Sequence, residues 1–219
     1  SSAASDVYKR QIERLVNGAS LPRTRMLTAP PRPVEAEMKD VIVIPLRHHA
    51  LFSYLQSRLI DADISRMYCK EVHYELRGRH YFALAFGNIS GGYEVRNAYY
   101  KGCLNNKDIS LIRHLTEETQ ENVCVFEGFM DFLSYLQYAR EHPGLPPMNF
   151  CILNSTAMAG RSGEFLSRHR LVHAFLDNDK AGMDALDKLE GNLGKDTVLV
   201  NESVRLLSLI HISEPTRRS

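Results

Sequence analysis

The stretch that decides the fold begins with NVCVFEGFMDFLSYLQ (residues 122–137) and ends with LVHAFLDNDKAGMDAL (residues 171–186). In each of these segments an apolar, β-prone run stops at an acidic residue, and an amphipathic helical pattern follows it. Between them, residues 149–155 (NFCILNS) favour a strand and residues 163–170 (GEFLSRHR) a short helix, and DTVLV (residues 196–200) adds a last strand. This alternation predicts a parallel sheet covered by helices on both faces.

The region before this stretch follows a different pattern. Apolar spacing predicts helices over residues 49–60 and 61–70. Two β-prone runs then flank the turn-like Arg77-Gly78-Arg79, which predicts a hairpin, and GYEVRNAYY (residues 92–100) predicts a further strand. We therefore expect a small antiparallel meander over roughly residues 71–100.

Both ends of the chain are expected to be foreign to the fold. SSAASDVYKRQ (residues 1–11) is what a common sequencing adapter encodes when it is translated, and residues 207–219 resemble the partner adapter. The alternative is a genuine tail at either end. Residues 12–42 are rich in proline and small polar residues, which predicts a linker.

Composition restricts the class of protein. The net charge of +1 does not indicate a polyanionic partner, so nucleic-acid binding would depend on local basic clusters. No stretch approaches eighteen uncharged apolar residues, and the first residues do not form a secretory signal. The four cysteines are dispersed without a CxxC pair. Together these features predict free thiols, no structural zinc, no membrane partner and a cytoplasmic location.

Acidic residues follow two of the predicted strands. Glu127 ends VCVFE, and Asp177 ends HAFLD with Asp179 two residues later. Because sites in parallel sheets form at the carboxyl ends of strands, these acids should meet in one crevice and bind a hard divalent cation. Asp131 lies one helical turn after Glu127 and is expected to face the same crevice. Its alternative role is to complement the helix dipole.

These motifs resemble the Toprim domain, which is shared by bacterial-type primases, topoisomerases and some nucleases. FEGFMDFLSYL and FLDNDKAGMDAL are similar to its two acidic motifs. SYLQSRLI, YFALAFGNISGGYEVRN and YYKG resemble the N-terminal subdomain of primase catalytic cores. The resemblance spans roughly residues 43–206 and is strongest to primase-like proteins of mobile elements in Bacteroides-type bacteria. It implies a primase-core subdomain over residues 43–120 and a Toprim domain over residues 121–206.

The resemblance also implies a function. The expected activity is that of a DNA primase, a nucleotidyltransferase that makes RNA primers on single-stranded DNA from ribonucleoside triphosphates, with a replicative helicase as a further partner. Mg²⁺ or Mn²⁺ is the implied cofactor. The expected catalytic residues are those of the two acidic motifs, three of which would bind the metal: Glu127, Asp177 and Asp179 as ligands, with Asp131 beside them.

Two basic residues complete the expected site. Arg96 and Lys101 match the basic strand region that in primases faces nucleic acid or the nucleotide. The alternative is a solvated strand face, which is the more common role of such charges. One departure concerns the glycine that usually follows the YLxxR pattern, because Leu59 stands there. Two functional alternatives also stay open: a Toprim nuclease, and a degenerate Toprim module that binds nucleic acid without catalysis.

Overall fold

The computed structural model describes residues 38–113, 121–145 and 148–203. The two segments interpreted as translated adapters lie outside these residues. Among the described helices, none is both long and apolar enough to cross a membrane. The four cysteines are free, and Cys124 and Cys151 are buried, as the apolar runs around them predict.

In the described part of the chain, the first sheet has five strands that are all antiparallel to their neighbours. They are arranged in chain order, with the bounds β1 Lys39–Pro45, β2 Cys69–Leu76, β3 Arg79–Gly87, β4 Tyr93–Arg96 and β5 Lys101–Leu104. Leu76 pairs with Arg79, so Arg77 and Gly78 form a two-residue turn, and both have positive φ. The predicted hairpin and meander are confirmed.

Two expectations about this sheet need correction. Residues 39–42 were assigned to the linker, but they belong to β1, which pairs with β2. The single strand expected over residues 92–100 is divided into β4 and β5. The reason is Asn97, whose side-chain oxygen accepts hydrogen bonds from the backbone amides of Tyr99 and Tyr100 at 2.9 Å and closes a turn between the strands.

Two helices connect β1 to β2, and both are shorter than predicted. Helix α1 covers His49–Gln56 and helix α2 covers Ala62–Tyr68. After α1 the chain reverses at Leu59, which has a φ of 55°. Leu59 thus takes the left-handed conformation that glycine adopts at little cost.

The second sheet is mostly parallel, in agreement with the predicted fold class. Its strand order is β10-β9-β7-β8-β6, with the bounds β6 Ser110–Ile112, β7 Asn122–Phe126, β8 Asn149–Ile152, β9 Leu171–Phe175 and β10 Val198–Asn201. The connections contain helices α3 Phe129–Glu141, α4 Gly163–Leu166 and α5 Lys180–Asn192, and a 3₁₀ turn, Thr156–Arg161. Only β6 is antiparallel to its partner. Its three residues are too few to show a hydrophobic period, so the sequence did not predict it.

Helix α3 packs between the two sheets. Phe129 stacks on Phe86 of β3 with 5.1 Å between ring centroids, and Phe132 contacts Phe126 of β7. The same apolar cluster includes buried residues of α1 and α2. A separate cluster, which includes Leu189 of α5, lies among β7, β8, β9 and the helices that follow them. The first cluster therefore holds α3, and the acidic residues at its start, in a fixed place beside the antiparallel sheet.

Candidate active site

Two acidic residues meet at the carboxyl ends of neighbouring strands. β7 and β9 are parallel and pair Phe126 with Phe175. Glu127 directly follows β7, and Asp177 lies two residues beyond β9. The backbone N–H of Asp177 donates to Oε2 of Glu127 at 3.4 Å. Strand register thus joins two residues that lie fifty positions apart in the sequence.

Asp131 lies in the first turn of α3, where Gly128 is the N-cap residue. A Cβ atom on Gly128 would be only 3.2 Å from Oδ2 of Asp131. Glycine therefore leaves space for this carboxylate at the helix start. Glu127, Asp131 and Asp177 all line one cleft of about 290 Å³.

Asp179 has a different environment. It is the N-cap residue of α5, and its Oδ1 accepts a hydrogen bond from the N–H of Gly182 at 2.8 Å. A side chain at position 182 would collide with the backbone oxygen of Asp177, so this turn requires glycine. Asp179 is not among the described residues that line the cleft. Its charge nevertheless contributes to the raised pKa of Glu127.

Burial and neighbouring acids raise the pKa of two of these carboxyls, those of Glu127 and Asp131. Burial raises the pKa of Glu127, and the negative charges of Asp177, Asp179 and Asp131 raise it further, although the hydrogen bond from the Asp177 amide opposes the change. Burial and then Asp177 raise the pKa of Asp131 from 3.8 to about 6. A bound cation would relieve this repulsion, since it favours the ionised form of each carboxyl.

The lining of the cleft also contains basic residues. Arg58, Arg96 and Lys101 line it, and their positive charges oppose the rise in the pKa of Asp131. Arg96 and Lys101 are cross-strand partners in β4 and β5, and Nε of Arg96 donates to the hydroxyl of Tyr54 at 3.1 Å. The structure thus brings both sequence-predicted basic residues into the cleft.

Arg58 is a residue that the sequence reasoning missed. Its Nε is buried without a hydrogen-bond partner among the described residues. Arg58 lies in SYLQSRLI, a segment that resembles the primase core, and this position was the one indication in the sequence that it could belong to the site. A donor of this kind, facing a cleft with two further cations, is suited to the oxygens of a phosphate group.

The donor atoms in the cleft suit a divalent metal. Carboxylate oxygens are the ligands that Mg²⁺ and Mn²⁺ prefer, and the side-chain oxygen of Asn154, another lining residue, is buried without a partner in the described structure. With the side chains in their present rotamers, no three His, Cys, Asp or Glu residues of the described ranges lie close enough together to hold one metal ion. By donor type the residues fit a hard cation, and side-chain rotation would be needed to gather three carboxylates around it.

Comparisons with known proteins agree with this architecture. Residues 124–208 match the family described as Toprim-like, and residues 40–105 match a domain of unknown function, DUF8464. The mostly parallel sheet is therefore Toprim-like. No curated protein matches the chain by sequence.

Solved structures of two primases are similar to this chain, one of them closely enough to indicate a common fold. The primase fragment of the bacteriophage T7 primase-helicase protein is 16% identical, with a TM-score of 0.50 over 73% of this chain and 69% of that one. A primase from Aquifex aeolicus, solved with its zinc-binding and RNA polymerase domains, is 12% identical, with a TM-score of 0.48 over 78% of this chain and 57% of that one. At these identities the T7 fragment is evidence of a common fold: an antiparallel sheet followed by a Toprim-like sheet.

Proposed function

We propose that this chain is the catalytic core of a metal-dependent nucleotidyltransferase of the DNA primase type. It would synthesise RNA primers on a single-stranded DNA template from ribonucleoside triphosphates. The observation that carries this proposal is the cleft itself, whose lining combines acidic residues (the acidic wall: Glu127, Asp131, Asp177) with basic residues (the basic wall: Arg58, Arg96, Lys101). Nucleotide transfer needs both, because a cation and a triphosphate must bind side by side.

The acidic and the basic residues would have different roles in the reaction. Glu127 and Asp177 would hold Mg²⁺ or Mn²⁺, with Asp131 and Asp179 supplying negative charge nearby. The bound metal supplies Lewis-acid stabilisation of the phosphate under attack. Arg58, Arg96 and Lys101 would bind phosphate oxygens and neutralise the charge that develops on the leaving pyrophosphate. The primer 3′-hydroxyl would attack the α-phosphorus as the bond to pyrophosphate breaks.

The biological setting belongs to the proposal as well. The fold is shared with the primase fragment of a phage primase-helicase protein, which supports a replicative helicase as a partner of this chain. Replication or transfer of a mobile element of Bacteroides-type bacteria, in the cytoplasm, is the setting that the sequence resemblance implies.

Primer synthesis tests the proposal directly. The protein would be incubated with single-stranded DNA, labelled ribonucleotides and Mg²⁺ or Mn²⁺, and the products separated on a gel. Asp177→Ala is expected to abolish synthesis. Asp187→Ala is a matched control, because Asp187 is an exposed acid of α5 outside the cleft. Full synthesis by Asp177→Ala would reject the assignment, and shortening of the DNA would indicate the nuclease alternative.

A degenerate module that binds nucleic acid without catalysis is the second candidate. Two observations favour it: no three acids of the described ranges are grouped as a metal site, and Asp179 is engaged as a helix cap. Calorimetric titration with Mn²⁺ separates the two. Binding that Asp177→Ala abolishes supports the enzyme, whereas DNA binding without cation binding supports the degenerate module.

A further inference from the structure

Asn154 lies at the carboxyl end of β8, on the side of β7 opposite to β9. Glu127 at the end of β7 therefore has Asp177 on one side and Asn154 on the other. Asn154 is only 4% exposed and lines the same cleft as the acids. Its φ of 61° is left-handed, a conformation that asparagine tolerates better than most residues. This backbone conformation accounts for asparagine or glycine at position 154, but it does not account for the burial of the side-chain amide.

The orientation of this amide is determined by its neighbours. Its Nδ2 donates to the backbone oxygen of Asp108 at 2.8 Å and to Oγ of Ser110 at 2.9 Å. Ser110 has a single hydroxyl hydrogen, which it donates to the backbone oxygen of Gly87 at 2.7 Å. The Ser110 oxygen must therefore accept from Asn154. Rotating the amide by half a turn would break both bonds, so the oxygen cannot exchange places with the nitrogen.

The remaining atom, Oδ1 of Asn154, is a buried acceptor without a donor among the described residues. Leaving such an atom unpaired costs about 1–3 kcal/mol, so a folded protein gains by giving it a partner. An acceptor can interact with a cation or with an N–H or O–H donor such as a bound water, but not with an ionised phosphate oxygen. The neighbouring carboxylates of Glu127 and Asp177 attract cations into this space.

We infer that the side-chain oxygen of Asn154 is part of the cation site, as a ligand of the ion held by Glu127 and Asp177 or of a water coordinated to that ion. This inference rests on the cation site of the proposed function and adds to it an uncharged oxygen donor. The hydrogen bonds to Asp108 and Ser110 hold the donor in place, as hydrogen bonds to ligating side chains do at metal sites.

Titration calorimetry with Mn²⁺ on the full chain tests the inference without any measurement of activity. Asn154→Gly removes the oxygen while accepting the positive φ. Ser110→Ala is the comparison variant, because it removes one of the two bonds that position the amide and leaves the oxygen and the bond to Asp108 in place. We expect Asn154→Gly to lower the Mn²⁺ affinity by at least about tenfold, and Ser110→Ala to lower it by less.

The outcomes separate this inference from the proposed function. If Asp177→Ala loses Mn²⁺ binding while Asn154→Gly binds like the wild type, the role of Asn154 is wrong and the cation site stands. A larger loss in Ser110→Ala than in Asn154→Gly also overturns that role, because Ser110 would then act other than through the Asn154 oxygen. If the wild type binds no Mn²⁺, both ideas are rejected.

A second measurement does not depend on the folding of the glycine variant. In the wild-type protein, Mg²⁺ should polarise the Asn154 carbonyl and strengthen the hydrogen bonds that its Nδ2 donates. The two side-chain amide proton resonances of Asn154 should therefore both move downfield on titration with Mg²⁺, while those of the exposed Asn192, at the far end of α5 and outside the cleft lining, serve as a reference. Resonances of Asn154 that stay in place at saturating Mg²⁺ would overturn the inference.

Discussion

Replacing Asp131 by asparagine is expected to stabilise the metal-free protein at neutral pH. The change keeps the shape of the side chain and removes the charge that burial and Asp177 make costly. The pKa of Asp131 rises from 3.8 to about 6 on folding. Because each tenfold change in proton affinity is worth about 1.4 kcal/mol, this rise corresponds to about 3 kcal/mol. A favourable interaction with the start of α3 offsets about 0.3–1 kcal/mol of it.

The sign of the pH dependence follows from the raised pKa. Below pH ~4 the carboxyl is protonated in both states, so wild type and Asp131→Asn should differ little. As the pH rises from about 4 to about 6, the unfolded state ionises first and the wild type loses stability. Above that range Asp131→Asn should be more stable by about 2–3 kcal/mol.

Urea denaturation at several pH values, with a chelator present, measures this difference. Asp187→Asn on the exposed face of α5 is the control and should leave the pH dependence unchanged. Saturating Mg²⁺ should reduce the advantage of Asp131→Asn, since the cation stabilises the ionised acids of the wild type. The reasoning would be refuted if Asp131→Asn were no more stable than the wild type above pH ~7. It would also be refuted if the stability difference between the two proteins were as large near pH ~4 as above pH ~7.

Two further substitutions test other parts of the structure. Leu59→Gly relieves the strain of the left-handed backbone, whose φ is 55°. The strain costs about 1–2 kcal/mol, and the greater backbone entropy of glycine in the unfolded state offsets about 0.5–1 kcal/mol of the gain. Urea denaturation should therefore show a free energy of unfolding higher by about 0.5–1 kcal/mol, and a lower value would contradict the reasoning. Arg58→Ala removes one cation from the basic wall of the cleft, and fluorescence titration should show a ribonucleoside triphosphate affinity lower by about tenfold. Arg66→Ala on α2, an arginine outside the cleft lining, should bind the nucleotide normally; equal affinities for both variants would argue against a phosphate-binding role for Arg58.

Local pattern was sufficient to predict the parallel sheet and its acids. The apolar runs around Val123 and Val172 are continuous because both faces of those strands are covered. The acids Glu127 and Asp177 were visible because each interrupts such a run. The hairpin at Arg77–Gly78 was predicted for a similar reason, since two β-prone runs flank a turn.

Other features depend on contacts that no local pattern contains. β6 is defined only by its pairing with β8. The separation of β4 from β5 depends on the hydrogen bonds of Asn97. Asp179 caps α5 through Oδ1, and its role as a metal ligand stays a prediction. Aspartate serves both as a helix cap and as a metal ligand, so the sequence pattern alone does not distinguish the two roles.

The amino-acid sequence was enough to establish which residues carry charge at the ends of buried strands, because period and polarity are local properties. Only the tertiary structure could show that Arg58 joins those acids and that the amide oxygen of Asn154 is buried without a partner in the described structure. The two residues come from the loop after α1 and the end of β8, and packing of α3 between the two sheets brings these segments to one cleft. Sequence pattern therefore predicted the acids, and the resemblance added Arg96 and Lys101, while Arg58 and the free amide oxygen depend on how the two sheets pack.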